Sequence, residues 1–228
     1  MFPSGPRTER RRLDPEQRAL LATRVQPTSA SATRVLPVLP PLRELLPDGG
    51  LRRGSTISVT ADLAGGATTL ALALTAATSA AGSWCVAVGL SDIGALAAHD
   101  LRLDLRRVAL VPWPGRHVID AVAALIEGVD VVLLKPPPHL RPVLVRRLVA
   151  RLRDRRAVLV ILRDGTQWPE SCDIDLQVES ARWVAVGPGE DCLRRRLATV
   201  TVTGRRIVTG PRQHQLWLPA ESRTVESA

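Results

Sequence analysis

Five short apolar runs, separated by stretches with helical character, constrain this chain more than any other feature of its sequence. The runs are "STISVTA", "WCVAVGL", "RRVALV", "VDVVLLK" and "AVLVILRD", all between residues 55 and 164. Between them lie a Thr/Ala/Leu helix at 67–80, a weak helix near 93–99, "RHVIDAVAALIEG" and "HLRPVLVRRLVARLRDRR". A strand that is apolar at every position, not at alternate ones, needs cover on both faces. Strand–helix–strand alternation provides it, so the chain is expected to form an α/β domain on a mainly parallel sheet. After Asp164 the pattern changes. "DIDLQVES", "RWVAVGP" and "LATVTVTG" read as three strands joined by turns, with at most one helix around 189–196, and so as an antiparallel extension.

Composition agrees with one such domain. The chain has 228 residues, 45% of them apolar, with five Trp, one Phe and no Tyr. Leu, Val, Ala and Ile must therefore fill the core. Residues 1–12 are basic and expected to be disordered. Residues 13–47 read as a helix, with Asp14 as N-cap, Pro15 at its first position and Gln17 as capping-box partner, followed by a proline-interrupted connector. The main domain is placed at 48–210, and a proline-bounded tail at 211–228. Three cysteines, Cys85, Cys172 and Cys192, are an odd count without C-x-x-C spacing. They read as free thiols in a reducing compartment. His99, His117, His139 and His214 share no ligand spacing, so no metal is expected. The start carries no apolar leader, and the apolar stretch after residue 66 is too short to span a bilayer. A cytoplasmic protein without a membrane partner is expected.

The net charge of +9 is carried almost wholly by arginine, Lys135 being the only lysine. Such a bias, with abundant Ala, Val and Leu, suits a high-GC coding sequence, so arginine abundance alone names no partner. Position is more informative. In the segment 139–156, Leu140, Val143, Leu144, Leu148 and Leu152 form an apolar stripe. Arg146, Arg147, Arg151, Arg153, Arg155 and Arg156 gather opposite it and toward the C-terminal end. These six are the candidate contacts to DNA phosphate or to an acidic partner, the alternative being a solvated helix face. Arg194–Arg196, Arg205, Arg206 and Arg212 form a second cluster. No aromatic residues are interleaved there for base stacking.

The stretch "ADLAGGATT" follows the first strand and opens the 67–80 helix, the context of a phosphate-binding loop. Against the pattern G-x-x-x-x-G-K-[ST], Ala61 stands at the first glycine and Ala67 at the lysine. Gly65, Gly66, Thr68 and Thr69 keep the turn and the hydroxyls. In the order of its segments, residues 40–165 resemble the RecA-like ATPase core. "LPDGGLRRG" is similar to the turn that precedes the family's first strand, and "VDVVLLK" falls on its second nucleotide motif. The resemblance then implies two losses at partner positions: the loop lysine is Ala67, and the metal-steadying aspartate is Lys135. Ser91 and Asp92 stand near the place of the catalytic glutamate. The resemblance thus implies no ATPase activity and no cofactor. Gly65, Gly66, Thr68, Thr69 and Lys135 remain as a vestigial nucleotide site, with two readings: a relic turn whose threonines cap the helix, or a loop to which Lys135 supplies the missing positive charge. The link "KPPPHL" leaves no room for a long first DNA-binding loop of the RecA kind, and "RDGTQWPESC" is brief and not basic. Filament formation on DNA in the RecA manner is therefore not expected.

A RecA-like domain without ATPase residues resembles the ImuA-type accessory proteins of bacterial damage-induced mutagenesis cassettes, in their actinobacterial form. That resemblance implies a non-catalytic scaffold for SOS-induced translesion DNA synthesis, acting at the nucleoid. Its implied partners are a Y-family polymerase homologue and an error-prone replicative-type polymerase, with DNA as a further one. Leu216, Trp217 and Leu218, a lone apolar cluster in the tail, are the candidate protein-binding residues, docking on a partner or on their own domain. The alternatives are an atypical P-loop ATP-binding protein of DNA repair and a RecA-related cell-division inhibitor.

Overall fold

The computed structural model describes residues 34–62, 65–185 and 193–228. The expected N-terminal helix, residues 1–12 and Cys192 lie outside them. In chain order, β1 (Val35–Leu36) and β2 (Leu51–Arg52) form a small antiparallel pair around a 3-10 turn, Pro40–Leu45. β3 (Thr56–Ala61), α1 (Ala67–Ala80), β4 (Cys85–Val88), α2 (Ala95–Asp100) and β5 (Val108–Val111) follow. Then come α3 (Val118–Leu125), β6 (Val131–Leu134), α4 (Pro142–Arg155) and β7 (Val158–Leu162). The last strands are β8 (Ile174–Ala185), β9 (Leu193–Thr203), β10 (Arg212–Trp217) and β11 (Glu226–Ser227).

Among the described residues, β3–β11 form one sheet in the order β11-β10-β9-β8-β3-β7-β6-β4-β5. From β8 to β5 every neighbouring pair is parallel, while β9, β10 and β11 add antiparallel strands beyond β8. The expected class therefore holds: a mainly parallel sheet flanked by helices, with an antiparallel C-terminal extension. Both faces are covered. Cys85 and Ala87 of β4 join the core formed with α1 and α2, while Val86 and Val88 join the one formed with α3 and α4. Burial pushes the Cys85 thiol up to about 12, with the Asp130 charge adding to the shift. Cys172, buried beside Asp175, is also raised to about 12. Both are neutral, unreactive thiols at physiological pH.

Helix α1 lies at the predicted residues and is buried nearly all round. Its hydroxyls are satisfied inside the core: Thr75 donates to the Leu72 carbonyl at 2.8 Å, Ser79 to Ala76 at 2.8 Å, and Thr78 to Pro37 at 2.7 Å. That is how an "ALALTAATSA" helix enters an apolar interior without stranded polar atoms.

Three expectations are corrected. "DIDLQVES" and "RWVAVGP" are not two strands. Up to Ala185 they share β8, whose pairing with β9 slips between Val178 and Ser180, a bulge that lets one strand run through. Residues 193–196 open β9 and are not helical, and 189–192 lie outside the described residues. The buried stripe of α4 is Val145, Leu148, Val149 and Leu152, whereas Val143 and Leu144 are exposed in the first turn.

The segment expected to be a tail is also part of the fold. β10 pairs with β9 from Arg212↔Val202 to Trp217↔Leu197, and β11 closes on β10. Leu216 and Leu218 are core residues packed with Val200, Val202 and the α1 side of the sheet. Of the two readings of this cluster, Leu216 and Leu218 follow the one in which it docks on its own domain. Trp217 lies beneath Arg195, so the reading as an exposed partner-binding cluster is corrected.

Candidate functional site

The carboxyl ends of parallel strands are where open α/β sheets receive ligands, and β3 delivers its glycine loop there. Gly65 and Gly66 have φ of 71° and 109°, the left-handed region that glycine enters without a Cβ penalty. The Gly65 N–H donates to the Asp62 carbonyl at 3.0 Å, and the Leu70 N–H to the Gly66 carbonyl at 2.9 Å. Gly65 and Gly66 therefore make the tight turn that leads into α1. The helix is capped by Gly66 and not by a threonine: Thr68 and Thr69 sit in the first turn, so the capping role expected of them is corrected.

A side chain that sequence reasoning did not place here sits on this turn. A Cβ built on Gly66 would stand 2.6 Å from Nη2 of Arg196, which reaches over from β9. Arg196 is buried, its Nε donates to the Leu218 carbonyl at 2.9 Å, and its guanidinium lies 5.2 Å from the Trp183 ring centroid. Burial lowers its pKa from the usual arginine value. The signal was strand parity. Arg196 shares its face with Ala198, Val200 and Val202, all buried, so its side chain points inward.

Lys135 emerges from β6 on the same edge, with β7 between it and the strand that bears the loop. Its Nζ lies 3.0 Å from Asp164 Oδ2, at the end of β7. Among the described residues it makes no hydrogen bond or ion pair with Gly65, Gly66, Thr68 or Thr69. Ser91 and Asp92 bond to each other at 2.8 Å and are exposed. Beside Lys135, a cleft of about 440 Å³ is walled by Gly89, Trp113 and Pro136, and Trp113 is 82% exposed.

The fold and this edge can be set beside known proteins. Residues 44–170, more than half of the chain, match the model of the MT3502 N-terminal domain. The chain belongs to that family. Over 97 residues this MT3502-type chain is 37% identical to the uncharacterized protein Rv3395c of Mycobacterium tuberculosis, which covers 42% of the chain and 48% of the relative. It thus matches about half the length of that relative. The KaiC-like protein PH0186 of Pyrococcus horikoshii superposes with a TM-score of 0.58 at 12% identity, covering 87% of this chain and 100% of that one. At that identity the likeness shows the RecA-like fold. The family match ends at residue 170, so Arg196 comes from strands beyond it that complete the same sheet.

The arginines of the MT3502-type chain divide into two kinds. On α4, Arg151 and Arg155 both bind Glu127, at 2.6 and 2.8 Å, and Arg146 binds Glu170 at 3.0 Å. Arg147, Arg153 and Arg156 have no carboxylate partner among the described residues. In the second cluster, Arg195 stacks over Trp217 at 4.6 Å and Arg212 bonds to Thr209. Arg205 and Arg206 turn instead to the amino edge of the sheet, where they meet Arg52, Arg53 and Arg153. No group of three His, Cys, Asp or Glu that could hold a metal occurs among the described residues, and none of their helices is long and apolar enough to cross a membrane.

Proposed function

We propose that this chain is a RecA-like accessory factor without ATPase activity. It acts in SOS-induced mutagenic translesion DNA synthesis, binding a Y-family polymerase homologue and helping to assemble an error-prone polymerase complex at the nucleoid. The observation that carries the non-catalytic part is the seat of Arg196 against Gly66. The loop has no lysine, and its approach is taken by a guanidinium anchored to the Leu218 carbonyl. Lys135 stands where a metal-steadying carboxylate would be needed, and its amine is engaged by Asp164.

Charge-assisted hydrogen bonds contribute about 1.5–3 kcal/mol each, so losing two such partners weakens nucleotide affinity by roughly two to four decades. Catalysis loses more, because phosphoryl transfer depends on positioning and charge neutralisation. What remains is a fold that can present surfaces. Membership of a family with a mycobacterial relative agrees with the actinobacterial form of the ImuA-type proteins, to which the segment order is similar. The polymerase contact does not run through Leu216 and Leu218, which are buried in the sheet.

The test is co-purification of the full chain with the two polymerases of the cassette, with and without ATP, alongside calorimetry with ATP and ADP. Retention of the Y-family homologue regardless of nucleotide, with no binding heat, is expected. Nucleotide-dependent stabilisation would return the chain to the atypical P-loop ATP-binding proteins. Retention of division proteins in place of polymerases would make it a cell-division inhibitor.

A further inference from the structure

The amino edge of the sheet, opposite the glycine loop, carries a basic recess that brings together residues from three distant stretches. Arg52 and Arg53 come from the end of β2, Arg153 from the last turn of α4, and Arg205 and Arg206 from the turn after β9. The recess has a volume of about 480 Å³. Its convergence has a backbone cause. Gly54, at φ 78°, donates its N–H to the Ala157 carbonyl at 2.9 Å, and a Cβ there would stand 3.4 Å from the Arg153 Cα. The β2–β3 turn therefore lies flush against the end of α4.

Three of the five guanidiniums are held in place. Arg53 binds Asp130 at 2.7 Å, Arg205 binds Asp173 at 2.9 Å, and Arg206 binds Asp48 at 3.2 Å. Asp173 is itself fixed by the Thr56 N–H at 2.9 Å and the Thr56 hydroxyl at 3.2 Å. Five guanidiniums thus face three carboxylates, and Arg52 and Arg153 have no carboxylate partner among the described residues. On the outward face of α4, by contrast, Arg146, Arg151 and Arg155 share two carboxylates, Glu170 and Glu127, and no carbonyl edge or turn among the described residues gathers them into a recess.

We infer that this recess binds backbone phosphates of nucleic acid, independently of base sequence. Planar guanidinium forks match phosphate oxygens bidentately, and three forks are already oriented by carboxylates. The rest of the lining is Gly54, Ser55 and Asp173. An interface for a protein partner would need an apolar or aromatic anchor, and base readout would need a stacking platform; the recess has neither. This rests on the reading that the chain works on DNA, and moves the contact from the α4 face to the amino edge.

The experiment follows anisotropy of a short labelled DNA duplex and a single strand with the full chain across a salt series. Arg52→Gln/Arg153→Gln leaves every ion pair named above intact. It is expected to lower affinity at least about tenfold and to flatten the slope of log affinity against log salt by about two. Arg151→Gln/Arg155→Gln removes the same charge from the helix face, where both side chains are tied to Glu127, and should change affinity less than about twofold. Melting curves check that both variants fold. Equal losses in the two variants overturn the inference, as does a larger loss in the helix-face variant. Absence of DNA binding by the unaltered chain overturns it too. In that case, stabilisation by inorganic pyrophosphate that the Arg52/Arg153 variant loses would mark a free-phosphate site. Polymerase co-purification by the Arg52/Arg153 variant tests the accessory reading separately, since its loss or retention does not depend on DNA.

Discussion

The two edges of the sheet treat positive charge in opposite ways. At the carboxyl edge, where this architecture ordinarily meets its ligand, charge is absorbed within the chain. Lys135 is neutralised by Asp164, and Arg196 is buried on the loop it covers. At the amino edge, guanidiniums outnumber the carboxylates that orient them. The strand–loop–helix corner thus has its glycine turn, but the charges around it face inward. Anion recognition, if sought by shape and charge together, belongs to the other end of the strands.

Three substitutions separate the two edges, in falling order of effect. Gly66→Ala should be the most damaging, by about 3 kcal/mol, because a Cβ at φ 109° is strained and drives Arg196 from its seat. Chemical denaturation reads the loss, and it should shrink in an Arg196→Ala background, where only the backbone strain remains. An unchanged loss in that background would separate Arg196 from the loop. Asp173→Asn should cost about 1–2 kcal/mol, since it weakens bonds from Thr56 and Arg205, yet it should raise oligonucleotide affinity by removing negative charge from the recess. A fall in both stability and affinity would contradict the role given to the amino edge. Lys135→Ala should matter least, under about 0.5 kcal/mol, because its ion pair is 42% and 76% exposed on its two sides. Nucleotide calorimetry on the same variant should match that of the unaltered chain.

The parallel core was legible in the sequence because its strands are apolar at every position, which leaves few alternatives to a sheet covered on both faces. Helix α1 was legible for the same reason, as an unbroken Thr/Ala/Leu run between glycines. On α4 the period was readable but its phase was not. Leu144 and Val145 flank the same stripe, and only the sheet beneath decides that Val145 goes in. The C-terminal strand escaped because "RQHQLW" is polar through its first four residues and buried at Leu216 alone, its core contribution being that residue and the following Leu218. The loop itself was recognised, but its occupant was not. Arg196 reaches Gly66 only through the register of β9 against β10, which brings the Leu218 carbonyl to its Nε. The arginine clusters were visible as two groups, whereas their meeting at Gly54 is a product of topology.

The central strand has a temporal consequence. β3 is among the early strands of the chain, yet its two neighbours, β7 and β8, begin at Val158 and Ile174. The bonds that fasten its amino end join Thr56 to Asp173 across 117 positions. During synthesis the glycine loop therefore leaves the ribosome long before either flank of its strand exists. Arrangements dominated by such distant pairings close slowly. The nascent chain must keep β3 from pairing elsewhere until its second half arrives, and a ribosome stalled before β8 would hold a half-flanked strand open to other chains.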